Sequence, residues 1–137
     1  MTSGEARRRF AAARVARLAT VAAGEPRLVP ITFALADEVI WSAVDDVKRK
    51  RTRALARLDH IAAEPRVSVL ADHYEEDWGA LWWVRADGRA RVIDRDDPDA
   101  RVGLRALADR YPPYRERAAV GPLIAIAVER WSGWSAS

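Results

Sequence analysis

The chain contains no cysteine, which excludes a disulfide framework, a thiolate metal site and a thiol nucleophile. Lysine is nearly absent too: of the 23 basic residues only Lys48 and Lys50 are lysine, leaving 21 arginines. No run approaches the roughly 18 apolar residues that a membrane span requires. The best one, Leu123-Ile124-Ala125-Ile126-Ala127-Val128, has the length of a strand. Arg7-Arg8-Arg9-Phe10 is superficially like a twin-arginine export signal, but Arg14 and Arg17 interrupt the apolar stretch that should follow it. A cytoplasmic protein without a membrane partner is expected. There is no repeat, no low-complexity linker and no domain boundary.

What is present suits one domain over 1–137. The chain is 50% hydrophobic and 31% charged, with six tryptophans, and a chain of this size buries roughly 68% of its unfolded surface. A core forms without staples, and a wholly disordered chain is excluded. The net charge is only +3 although the pI is near 9.8, because arginine stays ionised at any working pH. Total arginine therefore points only weakly to nucleic acid. Where the charges cluster matters more.

Thr2 and Glu5 have capping-box spacing ahead of a helix over 5–13 anchored by Phe10. Strands are expected over 15–21, 27–35 and 38–44, with Pro30 placing an edge or a bulge in the second. Ala54, Leu55, Leu58, Ile61 and Ala62 follow helical spacing until Glu64-Pro65. Strands follow over 66–72 and 82–92, the latter alternating Trp82, Val84, Ala86 and Gly88 with Arg85, Asp87 and Arg89. Asp96-Asp97-Pro98 opens a helix that stops before Pro112-Pro113, and 122–128 makes the last strand. This order, α-β-β-β-α-β-β-α-β with short early turns, favours an antiparallel barrel over a parallel sheet.

The sharpest local feature is Lys48-Arg49-Lys50-Arg51-Thr52-Arg53, where the third strand gives way to a helix. Free N–H groups at a helix start, fixed cations and a hydroxyl together suit a phosphate. The same run reads equally as a solvated basic turn, or as a patch for nucleic acid or anionic lipid. Nucleic acid is the weakest of these, because no aromatic residues interleave with the cations. Asp72, Glu75, Glu76 and Asp77 surround His73 without a recognised ligand spacing, so no metal is expected. No nucleophile-elbow motif supports a hydrolase.

The order of these segments carries a resemblance. The early hairpin, the basic helix entry, the strand Val67-Ser68-Val69-Leu70-Ala71-Asp72 and the segments Asp72-His73-Tyr74-Glu75-Glu76-Asp77-Trp78, Leu81-Trp82-Trp83-Val84-Arg85 and Glu129-Arg130-Trp131-Ser132-Gly133-Trp134 are the ones concerned. From Phe10 to Trp134 the chain resembles the split β-barrel, pyridoxamine 5′-phosphate oxidase-like superfamily. Within it, the chain looks most like the actinobacterial branch that uses the deazaflavin coenzyme F420.

That resemblance implies a mainly β (α+β) fold, a six-to-seven-stranded antiparallel split barrel with peripheral helices. It also implies a homodimer with cofactor sites at the interface. Cations at the helix after the third strand would hold the cofactor phosphate, which falls on Arg49, Lys50, Arg51, Thr52 and Arg53. The second strand would lie along the ring, which falls on Val29, Pro30, Ile31 and Thr32, and Trp78 would be a ring-proximal aromatic reaching across the dimer. The stretch Arg130-Trp131-Ser132 lacks the histidine that vitamin B6 oxidases carry there, so that activity is not expected. The F420 tail bears a phosphodiester and several carboxylates, and Arg53 and Arg57 extend the cationic helix to suit it. The implied function is an oxidoreductase transferring a hydride between F420 and a small unsaturated substrate, with no catalytic side chain assigned. The alternatives are an FMN-binding oxidoreductase of the same fold and a non-catalytic F420-binding or storage protein.

Overall fold

The computed structural model describes residues 1–44, 51–116 and 121–137, and of 51–55 the backbone only. The elements are α1 (Ser3–Ala12), β1 (Ala16–Ala22), β2 (Glu25–Ile31), β3 (Ala34–Ala36), β4 (Val39–Ala43), α2 (Arg51–Ala63), β5 (Arg66–His73), a 3₁₀ turn (Trp78–Ala80), β6 (Trp82–Ile93), α3 (Ala100–Arg110), α4 (Pro112–Glu116) and β7 (Leu123–Ser135). The Thr2 cap forms as its spacing predicts, its side chain accepting the Glu5 N–H at 3.1 Å. No helix among the described residues is long and apolar enough to cross a membrane.

All the ladders are antiparallel, and the sheet runs β2-β1-β5-β6-β7-β4-β3. Its two outer strands, β2 and β3, are consecutive in the chain and separated only by Thr32 and Phe33. Two residues span at most about 10 Å between the strand ends, so the two edges of the sheet meet and the sheet curls into a barrel. No ladder joins them, which makes the barrel split. The single strand expected over 27–35 is therefore two strands. Its apolar pattern continues through the break because the chain passes from one edge to the other without leaving the core: Ile31, Phe33 and Ala34 are all buried.

The barrel interior holds one core, in which Leu18, Ile40, Val69, Val84, Ile124 and Ile126 are fully buried. Helix α1 contributes Phe10, whose ring lies tilted against Phe33 at 4.8 Å and edge-on to Trp131 at 5.3 Å. Helix α2 contributes Ile61. A second core, with Trp41, Ile93, Leu107, Leu123 and Ala125, lies between the sheet and α3. The first half of β7 is thus buried on both faces, which explains its unbroken apolar run.

β7 runs to Ser135 rather than ending near 128. The register slips between Asp87 and Gly88, whose partners are Arg130 and Val128, so Glu129 is the extra residue of a β-bulge. Helix α3 begins at Ala100 rather than at Asp96, since Asp94–Pro98 makes hydrogen-bonded turns first. Two tight turns use left-handed backbone without a full set of glycines: Ala23 (φ 52°) with Gly24 (φ 79°), and Asp37 (φ 51°) with Glu38 (φ 63°). Glu38 is pinned there by the Trp131 Nε1–H at 2.9 Å and by Arg7. The Trp131 bond, then Arg7, hold its carboxyl below the ordinary carboxylate range.

Candidate functional site

β2 is an edge strand carrying Pro26 and Pro30 at the same parity. Only at an edge can this parity turn its backbone away from the sheet, so neither missing N–H costs the ladder to β1 a bond. The free rim of β2 then offers carbonyls at Leu28 and Pro30 but an N–H only at Leu28, the Pro26 carbonyl accepting from the Arg27 guanidinium at 3.1 Å. Val29 and Ile31 pack into the barrel core, whereas Pro30 and Thr32 are exposed. Of the four ring-strand residues expected from the sequence, Pro30 thus presents free backbone outward, and Val29 and Ile31 act as its buried support.

The link after β2 is held firmly. The Tyr111 hydroxyl donates to the Phe33 carbonyl and accepts its N–H, both at 3.0 Å. Ser42 Oγ donates to the Thr32 carbonyl at 2.6 Å, and the Tyr114 hydroxyl lies 3.2 Å from Thr32 Oγ1. Arg110 donates to the Ala11 carbonyl at 2.5 Å and to that of Ala13, with its guanidinium 4.7 Å from the Phe33 ring centroid. The Thr32 carbonyl and both backbone groups of Phe33, which leave the ladder, are therefore satisfied by side chains. Nothing local in the sequence marks Tyr111 or Tyr114 for this role.

Arg51, Thr52 and Arg53 form the first turn of α2, where helix N–H groups lack intrahelical partners. Their side chains, and Arg49 and Lys50 altogether, lie outside the described residues. Further along, Arg57 is half-buried, and burial lowers its pKa from the usual arginine value. Among the described residues it has no carboxylate or hydrogen-bond partner. A half-buried guanidinium without a counter-charge among the described residues is costly, and an anion beside it would offset that cost.

Trp78 opens the 3₁₀ turn and is 67% exposed, with Asp77 Oδ1 accepting the Gly79 N–H at 3.0 Å. It follows β5 at the sheet end where β2 finishes, since Leu70 pairs with Arg17 and Arg17 with Pro30. Two strand spacings, about 10 Å, separate β2 from β5.

The outer sheet face carries Leu28 (75% exposed), Leu70, Trp83 and Trp134. Its charges are already paired: Arg17 with Asp72 at 2.7 Å, and Asp87 with Arg85 at 3.2 Å and Arg130 at 3.6 Å. Among the described residues no group of three or more histidines and carboxylates can hold a metal. A cleft of about 720 Å³ opens elsewhere, between the β1–β2 turn and the last turn of α2, and none of the sequence-predicted residues lines it.

Comparison with known proteins agrees with this architecture. The family model for pyridoxamine 5′-phosphate oxidase matches residues 2–135. A FAD-binding protein from Mesorhizobium loti is 24% identical, with a TM-score of 0.73 over 97% of this chain and 92% of that one. A conserved protein of Mycobacterium tuberculosis is 21% identical, with a TM-score of 0.75 over 99% and 86%. HutZ, the haem storage protein of Vibrio cholerae, is 17% identical, with a TM-score of 0.70 over 98% and 95%. No curated protein matches the chain in sequence. With a split antiparallel barrel and a family match along nearly its whole length, the chain belongs to the pyridoxamine 5′-phosphate oxidase family.

Proposed function

We propose that the protein is an F420-dependent oxidoreductase acting on a small unsaturated substrate. The observation that carries this is Arg57, a half-buried cation without a counter-charge among the described residues, on the helix that opens in the Lys48–Arg53 run. FMN has one phosphate to offer such a helix, whereas the F420 tail has a phosphodiester and several carboxylates. When bound, the reduced deazaflavin supplies a hydride from its ring. The chain's own part is to clamp the tail through Arg49, Lys50, Arg51 and Thr52, to seat the ring beside Pro30, and to keep that strand end rigid through Tyr111 and Ser42.

Replacing Arg57 with glutamine is expected to weaken F420 binding about tenfold while changing FMN affinity less than about twofold. Equal loss for both would count against the longer tail. FMN binding by the same residues is the second reading, supported by the FAD-binding protein that shares the fold. A non-catalytic binding protein is the third, supported by the haem storage protein.

The outer sheet face supports a homodimer. Its exposed apolar side chains need cover, and its charges, paired within the chain, lower the cost of desolvation on burial. A second copy would also bring an aromatic such as Trp78 to a ring lying on β2. Sedimentation equilibrium is expected to give the mass of two chains, and a mass of one chain would contradict the dimer.

A further inference from the structure

We infer that the cleft beside α2 is a second binding site, for a small uncharged molecule with a cis-amide edge such as a lactam or pyrimidine. The inference is independent of the cofactor. The ladder between β1 and β5 has only three pairs and stops at Ala19–Ser68. Beyond it β1 continues to Ala22 against β2, and β5 begins at Arg66 against β6. The two strands therefore splay apart, and the cleft of about 720 Å³ enters through the gap. This is why residues of both sheet faces line it: Thr20 and Val67 from the interior, Val21 and Ser68 from the outside.

Thr20 with Val67 and then Val21 with Arg66 would continue the register, the latter as the next hydrogen-bonding pair, and the ladder includes neither. Because β1 bonds to β2 through its even-numbered residues, Val21 turns its N–H and C=O toward the gap, and Arg66 does so from the other side. Each offers a donor and an acceptor side by side. A cis-amide carries the complementary pair on one edge, so it can replace the missing strand partner.

Thr20 supplies the second, independent observation. It is 4% exposed and lines the cleft, yet among the described residues its hydroxyl has no hydrogen-bond partner. Its oxygen is open to the cleft rather than sealed in the core, since among the described residues Trp41 Nε1 is the buried side-chain polar atom left without a partner. A ligand in the cleft can therefore take up the Thr20 hydroxyl's bond. The charged groups of the lining are balanced within the chain: Glu64 by Arg66, Asp87 by Arg85 and Arg130, and Glu129 by Arg89 at 3.6 Å. That leaves no net charge for an ionic ligand, while Ala19, Ala22 and Ala63 provide apolar walls. The volume falls within the range of small-molecule pockets.

The test is a titration of the full-length, ¹⁵N-labelled protein with uracil and with 2-pyrrolidinone, using benzoate as the anionic comparison. Saturable shifts of the Val21 and Arg66 amides in the millimolar range are expected. Thr20→Val should weaken binding roughly fivefold, and Ala63→Phe, at an exposed helix position, should block it. The amide spectra of both variants report whether they fold. Unmoved Val21 and Arg66 amides with both probes, wild-type affinity in both folded variants, or benzoate binding as well as uracil would each overturn the inference.

Discussion

Neutralising Arg49, Lys50 and Arg51 together is expected to lower cofactor affinity roughly a thousandfold, at about 1.5 kcal/mol or more for each charge-assisted hydrogen bond removed. The fold should survive the change. In the sequence Arg49 and Lys50 fall between β4 and α2 and Arg51 opens α2, whereas the helix is tied to the barrel by Ile61 and Leu58 further along. An unchanged thermal midpoint with abolished binding is therefore the predicted pair of results, read by differential scanning and by tryptophan quenching. Unchanged binding in the triple variant would place the anion somewhere other than the start of α2.

The largest effect on stability is expected at Gly88. It sits opposite the bulge in β7, where the strands approach so closely that an added Cβ would meet the Ala127 carbonyl oxygen at 2.2 Å and the Val128 Cα at 3.2 Å. Those are backbone atoms of a paired strand and cannot turn aside. Gly88→Ala should therefore cost roughly 3 kcal/mol or more, a fall in Tm of about 10 °C for a chain of this length. Gly24→Ala is the internal comparison. Its φ of +79° strains any side chain, but nothing lies within 4 Å, so only about 1 kcal/mol is at stake. If Gly88→Ala cost no more than Gly24→Ala, β6 and β7 would not pack as closely as the bulge requires.

The same bulge shows where the sequence stops being legible. Alternation reveals β1, β5 and most of β6, because one face of each is wet and the other faces the barrel. In β7 the insertion of Glu129 shifts the phase, so that Ile126 and Val128 point inward before it, and Arg130, Ser132 and Trp134 point outward after it. A single period cannot run through both halves, and the strand looks finished near 128. Thr32 and Phe33 fail for the opposite reason. The apolar pattern there is unbroken, and only the pairing partners reveal that the chain has changed edges. Pro30 is readable, since a proline within a strand demands an edge. Its supports, Tyr111 and Tyr114, are not, because they reach Phe33 and Thr32 from 78 and 82 residues away. Thr20 carries no local signal either, and only the short β1–β5 ladder leaves its hydroxyl facing a cleft. The basic run from Lys48 to Arg53 is conspicuous in the sequence because it holds both lysines, and it lies largely outside the described residues.

The most direct measurement is a parallel fluorescence titration of the cofactor-free protein with F420, FMN and FAD at moderate salt, using its six tryptophans as the signal. Saturable quenching by F420 at concentrations at least about tenfold below those needed for either flavin is the predicted result. Tighter binding of FMN or FAD, or quenching by none of the three, would contradict it.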